Sequence, residues 1–533
     1  MKFTFNKQFM VLMFLLLNCF ACYAANEDLI SKQITLKLTE AGTLPDKIGR
    51  SKMDLVTNLK IIGEINGTDL RFIREMAGSD LYGYRTSGNL SVLDLSEARF
   101  VAGGDYYYEG YGDGCYTSND IIGKYAFLRC RSLTSVIIPS SVTSIGESAF
   151  RECSSLTSVN IPSSVTEIGV SAFEYCSSLT SVDIPSSVTS IGADAFHYCG
   201  SLTSVNIPSS VTEIGYAAFE DCSFLTSVNI PSSVKEIGTS AFSGCSSLTS
   251  VNIPSSVKEI GSSAFSRCSS LTSVNIPSSV KEIGWGAFWG CSSLTSVNIP
   301  PSVTSIGMEA FWYCSSLASV KIPSGVTSIG DRAFWGCSSL TSVNIPSSMT
   351  SLGDYAFYYC SSLTSVNIPS SLASIGCGIF LGCSSLTSVD IPSSVTEIGE
   401  SAFSDCSSLT SVKIPSSVTS IGERVFENCS LSSVYVYAET PPSISANAFE
   451  GCDSKNCTLY VPKGTYDAYW LSEWGIFENI VEFDVTNIRN IVVEPEAQET
   501  ARYAVNGQRL TAPVKGINLV KYNNGRVKKE IVK

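Results

Sequence analysis

The residues in this sequence that are best placed for chemistry are its cysteines, which recur at a fixed interval. Fifteen of them stand 23 residues apart, from Cys130 to Cys452. Thiols can form disulfides, bind metals or pack as small apolar groups. A ladder gives each interior cysteine two equivalent neighbours, and no Cys-x-x-Cys spacing of a metal site occurs after residue 24. We therefore predict a column of buried, unpaired thiols.

Three further cysteines stand outside this ladder and leave disulfide formation open. Cys457 closely follows the last ladder cysteine, so Cys452–Cys457 is the disulfide that the sequence favours most. Cys115 and Cys377 also lie outside the ladder, and the sequence leaves open whether they form disulfides.

Other catalytic and metal-binding residue types are scarce. The single histidine, His197, occupies a variable position of the repeat, where we expect an exposed loop residue. Residues 103–114, GGDYYYEGYGDG, combine acids and glycines without the ligand spacing of a calcium loop, so we interpret them as a flexible cap loop. No recurring acid pair marks a hydrolase cleft. We expect neither enzymatic activity, nor a cofactor, nor a metal.

Aromatic residues gather in one part of the repeat. The second position before the cysteine varies between units, and in four successive units it is aromatic: Trp289, Trp312, Trp335 and Tyr358. A position that accepts Ser243 as readily as a Trp is expected to be exposed, because core packing demands similar sizes. We predict a binding stripe for a protein or a glycan, although local packing is an alternative. Nearby members of the stripe are Trp285, Tyr313, Tyr355 and Tyr359.

A second candidate surface lies on the strand side of the unit. In the predicted strand, the polar residue between Val and Ile is usually Asn, and a Thr-Ser pair precedes the Val. The resulting flat surface suits a repetitive partner through avidity, or it is solvated without any partner. The candidate contacts are Asn206, Asn229, Asn252, Asn275, Asn298, Asn344 and Asn367.

These side chains are positioned by a unit such as CSSLTSVNIPSSVTEIGVSAFEY, which begins at Cys153. The pattern L-x-x-V-x-I predicts a strand that Pro162 ends. Gly169 is expected to allow a tight bend, after which Ala and Phe return to the core. One unit cannot bury its own apolar face, so the units must stack into a solenoid about 70 Å long. We expect a β-rich fold with a parallel sheet on one face and turns or single helical turns on the other.

This repeat resembles the BspA-like bacterial leucine-rich repeat family. The recurring L-x-x-V-x-I-P and A-F-x-x-C elements carry the resemblance over residues 121–452. Departures are few: Met349 and Leu372 replace Val, residues 378–379 replace the Ala-containing slot, and one Ser is missing after Cys429. The resemblance implies a leucine-rich-repeat solenoid at the cell surface or secreted, with adhesion to host matrix proteins, other bacteria or glycans.

Residues 25–120 form an expected N-terminal cap, which covers the open end of the core. The segment LRFIREMAG predicts a short helix with an N-cap at Thr68-Asp69 and an end at Gly78. Leu90, Leu93 and Leu95 predict the first sheet strand. These segments also resemble the lead-in of Bacteroidales members of the family.

Residues 453–483 form an expected C-terminal cap in which Trp470 and Trp474 cover the last coil. Residues 484–533 form a small tail that carries a charge of +7 from residue 501 onward. Asn506-Gly507 and Asn524-Gly525 predict two hairpins. The tail resembles the C-terminal sorting modules of secreted Bacteroidetes proteins, which implies export and surface attachment or release.

Residues 1–24 predict a signal peptide. Two lysines precede an apolar run that is too short to span a bilayer, and Ala25 is the expected mature start. A lipidated Cys19 or Cys22 is the alternative. After removal of this segment we expect no transmembrane span.

The net charge of the chain narrows the classes of possible binding partners further. The net charge is −13 and the sequence pI is about 4.8, which argues against nucleic acid because phosphate binding needs a basic face. The sequence thus predicts a non-enzymatic binding or adhesion protein that is secreted or held on the outer cell surface. A structural spacer without a specific ligand is the alternative.

Overall fold

The computed structural model of the protein describes residues 29–110, 112–484, 499–504, 508–522 and 527–532. It is a leucine-rich-repeat-type solenoid in which each 23-residue unit makes one coil, as the register Ser204↔Ser227 and Ser227↔Ser250 shows. The predicted β-rich solenoid with little helix is therefore confirmed.

One side of the solenoid is a parallel sheet of short strands. In a representative strand Val205 points inward and is buried, while Ser204 and Asn206 point outward, as the period of two requires. The strands of this sheet are β1 (Ile34–Lys37), β2 (Asn58–Ile65), β3 (Val92–Phe100), β7 (Ser135–Ile137), β9 (Ser158–Asn160), β11 (Ser181–Asp183), β13 (Ser204–Asn206), β15 (Ser227–Asn229), β17 (Ser250–Asn252), β19 (Ser273–Asn275), β21 (Ser296–Asn298), β23 (Ser319–Lys321), β25 (Ser342–Asn344), β27 (Ser365–Asn367), β29 (Ser388–Asp390), β31 (Ser411–Ile414), β33 (Ser433–Val436), β35 (Thr458–Pro462) and β36 (Asn479–Phe483).

A second, narrower parallel sheet follows the proline turn, and the sequence did not predict it. Pro208 starts this turn by accepting a hydrogen bond from Val211 N–H at 3.0 Å. Each strand has two residues, too few to show a period. The strands are β6 (Ile121–Ile122), β8 (Ser144–Ile145), β10 (Glu167–Ile168), β12 (Ser190–Ile191), β14 (Glu213–Ile214), β16 (Glu236–Ile237), β18 (Glu259–Ile260), β20 (Glu282–Ile283), β22 (Ser305–Ile306), β24 (Ser328–Ile329), β26 (Ser351–Leu352), β28 (Ser374–Ile375), β30 (Glu397–Ile398), β32 (Ser420–Ile421) and β34 (Ser443–Ile444).

The third side, here called the turn side, consists of the G-x-x-A-F-x-x-C segments. Backbone hydrogen bonds also join the coils here: Phe173 N–H donates to Ala195 O at 2.8 Å, and Ser171 N–H donates to Ala193 O at 2.8 Å. Backbone hydrogen bonds thus join the coils on all three sides, with the strand ladders interrupted between β9 and β11 and between β26 and β28, and they hold the stack in one register.

The core is a set of identical columns. Leu, Val, Ile, Ala, Phe and Cys side chains of successive coils are buried in the same places. The phenylalanines from Phe127 to Phe449 form one continuous stack with ring centroids 4.9–5.8 Å apart. This spacing is close to, and mostly slightly larger than, the strand separation of about 4.8 Å, so the rings follow the backbone stacking.

The repeat glycine serves close stacking rather than a tight bend, which corrects the expectation for Gly169. Its φ is not in the left-handed region, and a Cβ there would lie 2.8 Å from the carbonyl carbon of Gly146 in the preceding coil. The left-handed positions are instead the second residue after the glycine and the residue before the cysteine, such as Ser171 (φ 54°) and Tyr175 (φ 59°).

The N-terminal cap differs in detail from the expectation. Two helices, α1 (Leu44–Ile48) and α2 (Gly67–Met76), and the hairpin β4 (Gly103–Gly110)–β5 (Asp113–Thr117) pack with the first strands. The N-cap of α2 is Asn66, not Thr68-Asp69, and Asp69 completes a capping box by accepting from Asn66 N–H at 3.0 Å. The Leu90–Leu95 segment enters the third strand, not the first, because β1 and β2 precede it.

At the other end, α3 (Tyr466–Trp470) and a 3₁₀ turn (Glu473–Ile476) close the core. Trp474 is fully buried, and its Nε1–H donates to Pro442 O at 2.8 Å. Trp470 is exposed, so only one of the two expected tryptophans covers the last coil.

The tail forms its own antiparallel sheet of β37 (Glu499–Ala504), β38 (Arg509–Leu510), β39 (Gly516–Tyr522) and β40 (Val527–Val532). The pairings Tyr503↔Arg509 and Leu519↔Lys529 agree with the two predicted hairpins, while the Asn-Gly turns themselves lie outside the described residues. The predicted signal peptide and the expected start at Ala25 also lie outside them. Among the described residues no helix is long and apolar enough to cross a membrane.

Candidate binding surface

The most varied positions of the repeat lie on the turn side, in columns that run along the solenoid. Beneath them the Ala, Phe and Cys positions scarcely change. Two of the variable positions are left-handed, and non-glycine residues adopt that conformation at a cost of roughly 1 kcal/mol or more. Most coils carry this cost at one or both positions, while coils with glycines such as Gly286 and Gly290 avoid it, so the turn geometry is imposed by the stacked core and leaves the outward side chains free to differ.

The four residues Trp289, Trp312, Trp335 and Tyr358, here called the aromatic column, lie in contact with one another. The Trp289–Trp312 and Trp312–Trp335 ring centroids are both 5.3 Å apart, with interplanar angles of 15° and 35°. Tyr358 meets Trp335 edge-on at 4.4 Å and 87°. The rings therefore cover one another's faces and leave mainly their edges at the surface.

The expectation that this position is exposed is wrong for its small residues. Ser243, Ser266 and Ser404 occupy the same position and are only 2% exposed, and Ser266 Oγ donates to Ser243 Oγ at 2.9 Å. The base of the position lies below the surface of the turns, so a serine is buried while an indole emerges half-buried.

Three aromatic side chains that are about half exposed flank this column. Trp285, Tyr313 and Tyr359 are 45%, 51% and 50% exposed, and Tyr355 is half-buried. We name the eight residues together the aromatic patch: Trp285, Trp289, Trp312, Tyr313, Trp335, Tyr355, Tyr358 and Tyr359. The structure thus brings every predicted member of the stripe into one surface region, while its binding role remains untested.

Glycines of the neighbouring coil make room for the tyrosines, a signal that the sequence analysis missed. A Cβ at Gly336 would lie 2.9 Å from the Tyr313 ring, and one at Gly382 would lie 2.8 Å from the Tyr359 ring. The alternation of Tyr and Gly before successive cysteines from Gly290 to Gly382 is visible in the sequence and could have revealed this arrangement.

Charges near the aromatic patch are mostly negative. Arg332 is the only Lys or Arg in the six turn segments from Gly284 to Cys406. Its guanidinium lies 5.6 Å from the Trp335 ring centroid and pairs with Glu309 at 3.3 Å. Burial raises the pKa of Tyr355, and the neighbouring Cys377 thiol and the carboxylates of Glu400 and Asp354 raise it further.

His197 belongs to a charged column in the same position of earlier coils, which corrects the expectation of an exposed loop residue. Its side chain is only 18% exposed, with Nδ1 3.6 Å from Glu174 and Nε2 3.8 Å from Glu220. Arg151 pairs with Glu174 at 2.9 Å. Burial lowers the pKa of His197, but its carboxylate neighbours outweigh this, so the pKa is raised overall.

The Asn residues predicted as sheet-face contacts point outward along the first sheet. Each lies at an exposed end of its strand, opposite a buried Val. Asn298 Nδ2 donates to Asn275 Oδ1 at 3.2 Å, which links two neighbouring coils. The surface is regular and polar as expected, and its role in binding stays a prediction.

The ladder cysteines are buried thiols, apart from the half-buried Cys452. From Cys153 onward each Sγ–H donates to the carbonyl oxygen of the Phe that stands 26 residues earlier, in the turn segment of the preceding coil, at 3.0–3.3 Å. Burial raises their pKa, to about 11 for Cys130 and about 12 for Cys268. The favoured Cys452–Cys457 disulfide is not formed, since both residues are thiols.

The segment rich in glycine and acidic residues, compared above with a calcium loop, forms regular secondary structure. Most of residues 103–114 form β4 and the start of β5, so they are not the flexible loop that was expected. Within the described residues no group of three or more His, Cys, Asp or Glu side chains is arranged to hold a metal ion.

Comparison with known proteins identifies the family to which the solenoid belongs. The model of the BspA type leucine rich repeat region matches residues 116–226, 218–341 and 327–456, which together exceed half of the chain. A leucine-rich repeat protein from Bacteroides ovatus is 32% identical, over 70% of this chain and 90% of that one, with a TM-score of 0.54. A leucine-rich cell surface protein from Faecalibacterium prausnitzii is 34% identical, over 61% of this chain and 85% of that one, with a TM-score of 0.40.

No curated protein matches the chain. The family match nevertheless covers the whole array of coils, and it agrees with the resemblance seen in the L-x-x-V-x-I-P and A-F-x-x-C elements. The chain therefore belongs to the BspA-type leucine-rich repeat family.

Proposed function

We propose that this protein is a non-enzymatic binding or adhesion protein that presents its solenoid surface to host or bacterial surface proteins or glycans. The observation that supports this most is the aromatic patch, in which Trp285, Tyr313 and Tyr359 are about half exposed beside four rings in mutual contact. A contiguous exposed apolar surface is costly for a protein in water unless a partner covers it. Large aromatic residues also dominate the energetics of interfaces.

A binding screen with matched variants tests this proposal. The full chain is assayed against immobilised matrix proteins, bacterial cells and glycans, alongside a variant with all four members of the aromatic column changed to Ser. Ser is already the residue at this position in neighbouring coils, such as Ser243 and Ser266. Binding should fall more than tenfold, which corresponds to a contribution above about 1.4 kcal/mol.

The control for this screen is a second pair of stacked rings outside the patch. Tyr175 and Tyr198 stack at 4.7 Å, and glycine replaces tyrosine at their position in other coils. Changing both to Gly should leave binding unchanged. If a ligand is found and the column variant still binds it normally, the contact lies elsewhere, with the Asn-bearing sheet face as the next candidate. A folded protein that binds nothing would instead favour the spacer function.

We further propose that the mature protein starts at Ala25 and reaches the outer cell surface or the medium. The basic start and short apolar run of residues 1–24 support this. N-terminal sequencing of protein from the native host tests it, and a lipid-modified cysteine at the start would replace it with the lipoprotein alternative.

The basic tail is proposed to act in surface delivery. Its separate antiparallel sheet supports the expectation that deletion of residues 484–533 leaves the solenoid folded. Surface labelling of cells that express the shortened chain should then show reduced delivery. Unchanged delivery would contradict a sorting role.

A further inference from the structure

Five carboxylates and one guanidinium share the six turn segments that carry the aromatic patch. The acids are Glu309, Asp331, Asp354, Glu400 and Asp405. Arg332 is committed to Glu309 at 3.3 Å, so the patch has no spare cation of its own. We name the other four acids, Asp331, Asp354, Glu400 and Asp405, the acidic rim.

The acidic rim lies beside the rings and is not neutralised by the chain. Asp331, Asp354 and Glu400 are exposed, and no rim residue makes an ion pair with any described residue. Asp331 Oδ1 accepts from Asp354 N–H at 3.0 Å, and Asp354 Oδ1 accepts from Cys377 N–H at 2.8 Å, so these two side chains are held in place. A partner would therefore meet aromatic rings and fixed negative charge together.

The chain already contains one example of how a cation meets this surface. The Arg332 guanidinium lies over the Trp335 ring at 5.6 Å from its centroid while pairing with Glu309. A cation within about 6 Å of an indole face is attracted by the negative charge of that face. Tyr313 and Tyr359, each about half exposed, offer further rings with no such cation among the described contacts.

The ring arrangement is less suited to a sugar. Stacking of a pyranose needs an open ring face, whereas the indoles of the aromatic column cover one another at centroid distances of 5.3 Å. Charge also distinguishes the candidates, because a neutral glycan or a neutral peptide can only donate hydrogen bonds to the four carboxylates of the rim, whereas a cationic partner also gains charge–charge attraction.

Building on the proposed binding function, we propose that the aromatic patch and the acidic rim together bind a cationic protein segment rich in Arg or Lys. Its cations would pair with Asp331, Asp354, Glu400 and Asp405, and its side-chain stems would cover the exposed rings. Recognition of this kind weakens as salt screens the exposed carboxylates.

Titration of the full chain with short defined peptides tests the inference. The probe is a peptide of Arg-Gly-Ser repeats, and its matched controls replace every Arg by Gln or by Glu. We expect the Arg peptide to bind at low ionic strength and to weaken as salt is added. The Gln and Glu peptides should not bind detectably.

Two patch variants separate the contributions of rings and charge. W285S/Y313G/Y359G uses residues that occupy the same positions in other coils, as Ser262, Gly336 and Gly382 do. D331N/D354N/E400Q/D405N keeps oxygen acceptors for the backbone hydrogen bonds while removing the charge. Each variant should bind the Arg peptide at least tenfold more weakly, and the acid variant should also lose most of the salt dependence.

A control variant removes exposed aromatics elsewhere on the same chain. Tyr216 and Phe224 are 54% and 62% exposed outside the patch, and Y216S/F224S should bind as the parent chain does. An equal loss in this control, equal binding of the Gln peptide, or no binding of the Arg peptide would each overturn the inference. If a neutral oligosaccharide binds instead and the ring variant loses it, the patch is a glycan site, so the proposed function stands while this inference fails.

Discussion

The charged column and the aromatic column occupy the same position of the repeat in two halves of one solenoid. From Arg151 to Glu220 the residues are Arg, Glu, His and Glu, and they meet opposite charges on neighbouring coils. From Trp289 to Tyr358 the rings meet one another, while the four acids of the acidic rim make no ion pair with any described residue. In the first half, the charged residues of the column pair with one another. In the second half, the aromatic rings and the carboxylates of the acidic rim face outward without an ion-pair partner.

What this difference shows is that the backbone and core do not dictate the chemistry of the turn side. The same Phe stack and cysteine column run beneath both halves, and the turn-side hydrogen bonds from Phe196 and Phe334 to the next coil are both 2.8 Å long. Variation in the outer position therefore changes the surface without changing the scaffold. A residue pattern that differs between halves on a constant scaffold is more informative about binding than about folding.

The largest expected effect tests whether the two halves share one core. Phe196→Ala beneath the charged column and Phe334→Ala beneath the aromatic column should each lower the free energy of unfolding by about 3–5 kcal/mol, because each leaves a cavity in a fully buried stack. Chemical denaturation of each variant measures the free energy of unfolding, and the two losses are then compared. A clearly larger loss at Phe334 would mean that the outer rings support the core in that half.

The repeat period was enough to predict the solenoid, because a 23-residue spacing of apolar residues can be satisfied only by stacking units. It was not enough to predict the second sheet, since Glu213–Ile214 and its equivalents are too short to show alternation. The role of Gly169 was also misassigned, because sequence shows a glycine but not whether its φ or its neighbour requires it.

The candidate surface was predicted in part. The 23-residue interval places Trp289, Trp312 and Trp335 in one column, and the structure agrees. The same 23-residue interval separates Glu174, His197 and Glu220, so the sequence already contained the charged column, although the sequence analysis did not identify it. Burial of Ser243 could not be predicted, because it depends on how deeply the position lies below the turns.

An intermediate effect is expected from opening the aromatic column. Trp312→Ser removes an indole stacked between Trp289 and Trp335, and should lower the free energy of unfolding by about 1–3 kcal/mol, since each aromatic contact contributes about 0.5–1.5 kcal/mol. Trp285→Ser, which removes an exposed ring of the same patch, is the control and should change stability by less than about 0.5 kcal/mol. Equal losses would mean that stacking does not distinguish the column from the rest of the patch.

A smaller effect is expected in the cysteine column, which is common to both halves. Cys245 Sγ donates to Phe219 O at 3.2 Å, and a serine hydroxyl can donate to the same carbonyl. Cys245→Ser should therefore lower the free energy of unfolding by about 1 kcal/mol, near the low end of the cost of burying a hydroxyl. Cys245→Val, which cannot donate, gives the comparison, and a loss of several kcal/mol in the serine variant would show that the hydroxyl stays unpaired.

Thiol counting provides the matching chemical test of that column. Mature protein unfolded in denaturant without reductant should show at least a dozen free thiols, since the ladder cysteines are buried and unpaired in the structure. In the folded protein alkylation at mildly alkaline pH should be slow, because burial raises the pKa of thiols such as Cys268 to about 12. Few or no free thiols after unfolding would mean that disulfides staple the ladder.

The smallest expected effect concerns pH, and only the charged column should show it. The pKa of His197 is raised in the folded chain, because the carboxylates of Glu174, Glu220 and Asp194 outweigh its burial. Its charged form therefore stabilises the fold fully below the unfolded pKa of about 6.5, and this contribution is lost as the pH rises through the folded pKa. The pKa of Glu174 is lowered, since His197, Ser171 and Arg151 together outweigh its burial, so its contribution is lost as the pH falls through that value.

Unfolding measured from roughly pH 5 to 9 should show the alkaline decrease in the parent chain and not in His197→Gln, while Trp312→Ser should retain it. An identical alkaline decrease in His197→Gln would show that the imidazole charge is not matched within the solenoid, and the contrast between the two columns would then rest on the aromatic side alone.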